Sequence, residues 1–359
     1  MIPYFCLALV FFAFLGKKPK KGFYVFCVLL ILFSVLRNIS VGADNIVYAL
    51  NYRVISFDPN SWSAYTEMET AYCWLMAFCK MKLGLDYVDF MRFNALVYLV
   101  GTFVLVKRKS YNAYLSLFFF VFLVYYTDSF NIMRQYFALG LFCLTCALFF
   151  ANGLRERKDV ILYELIVILL AYGFHKSLLV LCLAPIFYMS SVKTFFGSKK
   201  NVVFILFFSY LMVFFPMILK SVLPYLMRNA SFLGDRYVGY MSAGMFSEQK
   251  VSIFSALMNT GVVILVTLFM KENKKDYLPF YLVVIGAVFA NIFGSLSALF
   301  LRISTNMMFF QILLLPYAWY NCSHAKLVRV IFVMYSIITF SNAIIKNFGK
   351  IVPYTLWGG

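Results

Sequence analysis

The 359 residues of this chain are 64% hydrophobic and 20% aromatic, and only 13% are charged. Apolar runs of roughly 15 to 20 residues follow one another with few interruptions, which is typical of a polytopic α-helical membrane protein and excludes an ordinary soluble domain. The net charge of +18 would suit nucleic-acid binding. However, the lysines and arginines lie in short clusters between the apolar runs, where they set membrane topology, so nucleic acid is not an expected partner.

Basic clusters divide the chain, and we expect all of them to face the cytoplasm. They lie at 17–21, 107–109, 155–158, 193–200, 271–275 and 326–329. The apolar runs between them predict about twelve transmembrane helices. These are 2–16, 22–36, 91–106, 111–127, 131–151, 160–174, 177–191, 201–219, 251–270, 277–299, 304–320 and 327–345. The short run 70–83 contains Lys80 and Lys82, so we predict a partial, re-entrant or interfacial helix there.

The predicted fold is all-α, with one membrane domain over residues 1–359 and both termini outside. No cleavable signal is expected, since the first run has no positive charges before it. The outer segments 37–69 and 220–250 would form the active-site side. Cys143 and Cys146 form a CxxC inside a predicted span, where we interpret them as small buried hydrophobic residues. No metal site is predicted, because the two histidines fall on opposite membrane faces.

The first outer segment carries charged and aromatic residues. Arg37 ends a predicted helix, and the G-A-D turn after it lets the backbone and the carboxylate of Asp44 face the same space. We predict a functional role for Arg37 and Asp44. Tyr48 and Glu67 belong to the same mixed set of charges and aromatic rings, for which a solvated loop is the alternative. Glu69 is interpreted as a solvated loop residue with incidental ion pairs.

Two polar pairs stand at the outer ends of predicted spans. Arg134 and Gln135 lie about one turn inside an apolar helix, where a charge is costly and usually faces a polar cavity or a partner. The guanidinium fork suits phosphate, so the expected ligand is an anion that carries phosphate. His175 and Lys176 join two spans, where a histidine can act as a general base or hydrogen-bond donor. The alternatives are a snorkelling arginine and a plain surface turn.

Two later regions complete the outer face. Arg302 lies at the outer end of a span with a small, polar interior, which permits close helix packing. It would be a second cation for the same anionic ligand. The outer loop 220–250 is aromatic and basic, and its length favours a functional role. We expect an interfacial lid that stacks against sugar rings, with Arg236 and Tyr237 among its binding residues.

The polar sets, in this order, resemble the EpsG-like branch of the Wzy-type polysaccharide (O-antigen or capsule) polymerases. The resembling stretches, between residues 37 and 316, are R-N-I-S-V-G-A-D with Tyr48 and then Glu67, M-R-Q-Y-F-A-L-G, A-Y-G-F-H-K-S-L-L and L-R-I-S-T-N. The resemblance implies a multi-pass glycosyltransferase of the bacterial inner membrane, with GT-C-like architecture and a site facing the periplasm or exterior. The implied reaction moves a growing glycan from undecaprenyl pyrophosphate to a sugar hydroxyl of an undecaprenyl-pyrophosphate-linked repeat unit.

This chemistry suggests a role for each polar residue. Arg134 and Arg302 would stabilise the charge that develops on the pyrophosphate leaving group. His175 is the first choice for activating the acceptor hydroxyl, and Asp44 is the second. The predicted substrate-binding residues are Arg37, Tyr48, Glu67, Gln135, Lys176, Arg236 and Tyr237. No cofactor is expected, because arginines can supply the positive charge. The expected partners are the two lipid-linked oligosaccharides, the bilayer and a chain-length regulator.

Two other functions remain open on sequence grounds. A membrane acyltransferase that modifies cell-surface glycans can also use one histidine, although it usually carries that histidine near the cytoplasmic side or in the first span. A flippase for lipid-linked oligosaccharides would need charged residues through several spans and internal repeats. The cytoplasmic halves of the predicted spans are nearly free of charge, which favours the polymerase.

Overall fold

The computed structural model describes residues 2–14, 19–62, 67–150, 154, 156–215, 252–271, 277–294 and 298–357. Within these ranges the regular elements are helices, which confirms the all-α prediction for the described part of the chain. The α-helices are α1 Ile2–Phe14, α2 Pro19–Val35, α3 Asn45–Val54, α4 Thr70–Met81, α5 Tyr87–Lys109, α6 Ala113–Phe122, α7 Tyr125–Asp128, α8 Met133–Phe149, α9 Arg157–Gly173, α10 Ser190–Gly197, α11 Lys199–Leu211, α12 Ile253–Phe269, α13 Leu278–Phe293, α14 Ala298–Met308, α15 Gln311–Asn321 and α16 Ala325–Ile345. The 3-10 helices are Pro59–Ser61, Lys176–Tyr188, Met212–Phe214 and Phe348–Lys350.

Two described helices, α5 and α16, are each long and apolar enough to cross a membrane alone. The 3-10 helix Lys176–Tyr188 and α10 together form a third possible span, bent by 92°. Helices α2, α6, α8, α12 and α13 are apolar but shorter. The helices therefore support a membrane protein, while the predicted count of about twelve crossings remains a prediction.

Several predicted spans are interrupted where hydropathy gives no warning. The run 111–127 breaks after α6, because Val124 has a left-handed φ of 73°. The run 304–320 is divided between α14 and α15. The run 177–191 begins as a 3-10 helix containing Pro185, which lacks a backbone N–H and cannot donate within a regular helix. Hydropathy reports solvent preference and does not specify backbone dihedral angles, so these breaks were not predicted.

The chain forms two compact units. The first comprises Met1–Cys182, Leu315–Tyr317 and Ser336–Gly359, and the second comprises Leu183–Leu314 and Ala318–Tyr335. The first unit contains the polar residues predicted between positions 37 and 177. Arg302 belongs to the second unit.

Helices α5 and α8 approach each other closely within the first unit. A Cβ atom on Gly101 would lie 2.0 Å from the carbonyl oxygen of Gly140, and one on Gly140 would lie 2.5 Å from the Cα of Tyr98. Small residues allow two helix backbones to come this close. The glycine contact holds α8, and with it the Arg134 side chain at its start, against α5.

Residues 37–62 are more ordered than a solvated loop, because they contain α3. Tyr48 and Tyr52 on α3 are buried, and the Tyr52 ring stacks on that of Phe90 at a centroid distance of 5.0 Å. Helix α4 confirms the predicted partial helix near 70–83. The Tyr72 hydroxyl on α4 donates a hydrogen bond of 3.0 Å to Asn94 on α5. An aromatic core thus fastens α3 and α4 to α5.

Candidate functional site

Arg134 is the second residue of α8, and its guanidinium contacts three groups that precede α8 in the chain. Nη1 donates to Glu69 Oε2 at 2.6 Å and to the backbone carbonyl of Glu67 at 3.3 Å. Nε donates to the Tyr48 hydroxyl at 3.3 Å, and the guanidinium lies 5.9 Å from the centroid of the Tyr48 ring. The sequence predicts that Arg134 faces a polar cavity or a partner, and in this structure its side chain pairs with a carboxylate of the same chain.

The prediction that Glu69 is a solvated loop residue is wrong. The side chains of Arg134 and Glu69 are only 8% and 11% exposed. Glu69 directly precedes α4, and its Oε1 accepts the backbone N–H of Lys176 at 3.3 Å. One carboxylate therefore joins the start of α4, the start of α8 and the turn that carries His175. The only sequence signal was its position at the border of the predicted partial helix.

His175 lies between α9 and the following 3-10 helix, as predicted. Its Nδ1 lies 2.7 Å from Ser177 Oγ and 3.3 Å from the Ser177 backbone nitrogen, and the tautomer of the ring decides which of these contacts is a hydrogen bond. If Nδ1 is protonated it donates to the hydroxyl, and Nε2 then carries the lone pair of a general base. If Nδ1 instead accepts from the backbone N–H, Nε2 carries the proton and acts as a donor. The Ser177 contacts therefore connect the tautomer of His175 to its chemical role.

Arg37 forms a second centre, in which a buried cation lies over an aromatic ring. The residue is 1% exposed, and its guanidinium lies 4.4 Å from the ring centroid of Phe130. Nε and Nη1 have no hydrogen-bond partner among the described residues. Burial lowers the pKa of the guanidinium, while Tyr87 and Tyr126 oppose that shift. The cation–π contact recovers only part of the cost of burying this charge.

The G-A-D turn next to Arg37 is bound by the end of the chain. The N–H groups of Gly42 and Ala43 donate to the carbonyls of Lys350 and Gly349 at 3.1 and 2.8 Å. Further along, Arg37 and Leu356 form an isolated antiparallel bridge. We call residues 346–357 the C-terminal segment. Its support of this turn was not predicted, because no local pattern connects the two ends of the chain.

Gly42 is required by the backbone at this turn. Its φ is +120°, and a Cβ atom would lie 2.2 Å from the carbonyl oxygen of Phe130. The N–H of Asp44 donates to Asn131 Oδ1 at 2.9 Å, and the N–H of Tyr48 donates to the Asp44 carbonyl at 3.1 Å. Asp44 therefore lies one helical turn before Tyr48, whose hydroxyl accepts from Arg134.

The first unit thus brings together most of the residues predicted for the site. Those joined around Arg134 are Tyr48, Glu67, Lys176 and, through the Lys176 turn, His175. Gln135 follows Arg134 and is buried. Arg302 is half-buried in α14 of the second unit, and its role in the site remains a prediction. Arg236, Tyr237 and the rest of the loop 220–250 lie outside the described residues.

Comparison with known proteins shows which family this chain belongs to. The sequence model described as the EpsG family matches residues 21–356, nearly the whole chain. No curated protein and no solved structure matches this chain. The family match confirms the resemblance and indicates a membrane protein of the polysaccharide-polymerase type. With its apolar helices and a family match that includes every candidate site residue, the chain belongs to the EpsG family.

Proposed function

We propose that this protein is a polysaccharide polymerase of the bacterial inner membrane, acting at the outer face. It transfers a growing glycan from undecaprenyl pyrophosphate to a sugar hydroxyl of a repeat unit carried on a second undecaprenyl pyrophosphate. Family membership supports the class of reaction. The observation that carries the choice of site is the buried contact of Arg134 and Glu69 with the turn of His175.

The reaction needs buried cations because its leaving group is a pyrophosphate. The bond from the anomeric carbon to the pyrophosphate oxygen breaks while the bond to the acceptor oxygen forms, so negative charge grows on the pyrophosphate. A preorganised guanidinium in a site with little water stabilises that charge more strongly than the same group in solution. Arg134 takes this role, and Arg37 supplies a second permanent cation near the G-A-D turn. Arg302 keeps the role predicted for it as a further cation.

The acceptor hydroxyl must lose its proton as it attacks. His175 is the first candidate, since its turn is joined to the Arg134 ion pair through Lys176 and Glu69. The geometry of the Ser177 contact allows Nε2 to take the proton in one tautomer. Asp44 is the second candidate. Its backbone is held at a turn that only glycine at position 42 permits.

The same proposal includes the membrane arrangement. We propose about twelve crossings in a GT-C-like architecture, with the basic clusters in the cytoplasm. Lipid-linked oligosaccharides would reach the site from the outer leaflet. A chain-length regulator would be the protein partner.

A strain that lacks the native enzyme tests this function. Without the gene, lipid-linked single repeat units should accumulate outside the inner membrane and the polysaccharide ladder should disappear. Purified protein given one defined lipid-linked repeat unit should produce longer lipid-linked oligomers and release undecaprenyl pyrophosphate. If single units do not accumulate outside and purified protein makes no oligomer, the polymerase proposal fails.

A further inference from the structure

The Glu69 carboxylate lies where hydrogen-bond donors from two parts of the chain converge. Its two carboxylate oxygens are bound from two different parts of the chain. Arg134 Nη1 donates to Oε2 at 2.6 Å, and the backbone N–H of Lys176 donates to Oε1 at 3.3 Å. A phosphate group offers the same pattern of neighbouring anionic oxygens, and guanidinium and backbone N–H groups are common phosphate donors.

We propose that Glu69 is an exchangeable counter-ion, which a phosphate group of the lipid-linked substrate displaces from Arg134. The inference rests on the proposed function, because that function supplies the phosphate. It goes further, because it assigns the phosphate a binding position at Arg134 and names Glu69 as the group that competes for that position. The ligand class is an oxyanion of a phosphate ester or pyrophosphate.

The remaining contacts of Arg134 explain why the cation stays in place during the exchange. Nε is bound to the Tyr48 hydroxyl and Nη1 also reaches the carbonyl of Glu67. Neither contact depends on the Glu69 carboxylate. Glu69 lies in the chain just before α4, and its side chain retains a small exposed fraction, 11%. The carboxylate can therefore move away toward solvent while α3 and α8 hold the guanidinium.

The exchange also solves an energetic problem. A nearly buried arginine without a counter-ion is costly, and Glu69 removes that cost when no substrate is bound. A pyrophosphate carries more negative charge than a carboxylate and can bind the guanidinium through two oxygens, so it competes well. When the product leaves, Glu69 returns to Arg134. Glu69 is thus a positioning residue that weakens product binding and speeds release.

Pyrophosphate binding by the purified full-length protein tests the exchange. Calorimetric titration with inorganic pyrophosphate should show that Glu69→Gln binds it about tenfold more tightly than the unmodified protein, because one charged competitor is gone. Arg134→Ala should show no binding. In the polymerisation assay Glu69→Gln should lower both KM and kcat, since the product leaves more slowly.

A matched control breaks a different ion pair in the same unit. Asp89 on α5 pairs with Arg92 at 2.9 Å and lies outside the site. Asp89→Asn should leave the affinity for pyrophosphate unchanged.

Titration with undecaprenyl pyrophosphate in nanodiscs forms a second arm of the experiment. A gain by Glu69→Gln in both arms assigns the site to the phosphate group, and a gain in the lipid arm alone assigns it to the carrier lipid.

Two outcomes would overturn the inference. One is a folded Glu69→Gln protein, checked by thermal melting, whose affinity for both inorganic pyrophosphate and undecaprenyl pyrophosphate is equal to or weaker than that of the unmodified protein. The other comes from removing both charges, with Glu69→Gln and Arg134→Gln together. This neutral pair should fold but lose pyrophosphate binding, so unchanged binding would show that Arg134 is not the anion site.

The binding and polymerisation results together distinguish a failure of this inference from a failure of the proposed function. A gain in pyrophosphate affinity without any polymerisation by the unmodified protein would keep the anion site and reject the polymerase. Normal polymerisation with no gain in Glu69→Gln would reject only the exchange. Glu69→Asp provides a second variant, because its shorter side chain should weaken the contact with Arg134 and give a smaller gain.

Discussion

Glu69 and Arg134 form an ion pair of 2.6 Å although 65 residues separate them in the chain. The pair joins the residue before α4 to the first turn of α8, and the second oxygen of Glu69 reaches the backbone of Lys176. This arrangement places a permanent cation and a histidine turn around one carboxylate. It also explains why a charge can be maintained at the start of an apolar helix.

Replacing Arg134 should damage both stability and function. Arg134→Ala leaves the Glu69 carboxylate nearly buried without its cation, which should cost about 3 kcal/mol of unfolding free energy and abolish the polymer. Arg134→Met combined with Glu69→Met should recover most of the stability but none of the polymer. Thermal unfolding in detergent and ladder length in the deletion strain measure the two effects. A normal ladder from Arg134→Ala would refute its assignment to the site.

Two substitutions distinguish the roles of the two ring nitrogens of His175. Asn places an amide near the position of Nδ1, so His175→Asn can keep the Ser177 contacts, while His175→Gln reaches toward the position of Nε2. If the imidazole takes a proton, both variants should fold normally and lose at least about a hundredfold in turnover. If the ring only donates a hydrogen bond from Nε2, His175→Gln should retain much more activity than His175→Asn. Turnover of a defined lipid-linked repeat unit distinguishes these results.

Replacing Arg37 should abolish function without lowering stability, unlike the replacement of Arg134 by alanine. Its buried guanidinium has two nitrogens without a hydrogen-bond partner in the described part of the structure, so Arg37→Met should leave the protein equally stable or up to about 2 kcal/mol more stable. The same change should abolish the polymer, because a permanent cation is lost. Melting temperature and ladder length are measured on the same preparation. A clear loss of stability with a normal ladder would show that Arg37 is only structural.

Gly42 offers a test of the G-A-D turn with a matched control. Gly42→Ala puts a Cβ atom 2.2 Å from the Phe130 carbonyl, so it should cost more than about 2 kcal/mol and displace Asp44. Gly84 also has a positive φ, +65°, but a Cβ there meets nothing within 4 Å. Gly84→Ala should therefore cost only about 1 kcal/mol, from backbone strain alone. Equal melting temperatures for the two variants would contradict the close approach at Gly42.

The membrane side of the site can be tested by labelling. His175→Cys and Arg302→Cys should react with a membrane-impermeant maleimide added outside, above the background of the native cysteines. Lys158→Cys, in a basic cluster expected in the cytoplasm, should react only after the membrane is opened. Labelling of positions 175 and 302 from the cytoplasmic side alone would overturn the proposed topology.

The sequence by itself determined the helical membrane class, the partial helix that became α4, the His175 turn and the family. These features follow from hydropathy, charge clusters and short motifs, each of which is local in the chain. The breaks at Val124 and between α14 and α15 were missed, because an apolar run carries no information about single backbone dihedral angles.

Only the tertiary structure decided which charges meet. Glu69 resembles any acidic loop residue in the sequence, and its partners lie 65 and 107 residues away. The C-terminal segment binds the G-A-D turn although the two lie at opposite ends of the chain, and Arg37 lies over the ring of Phe130, which is remote from it in the sequence. An ion pair and a buried cation depend on distances between remote residues, which only the packing of the helices establishes.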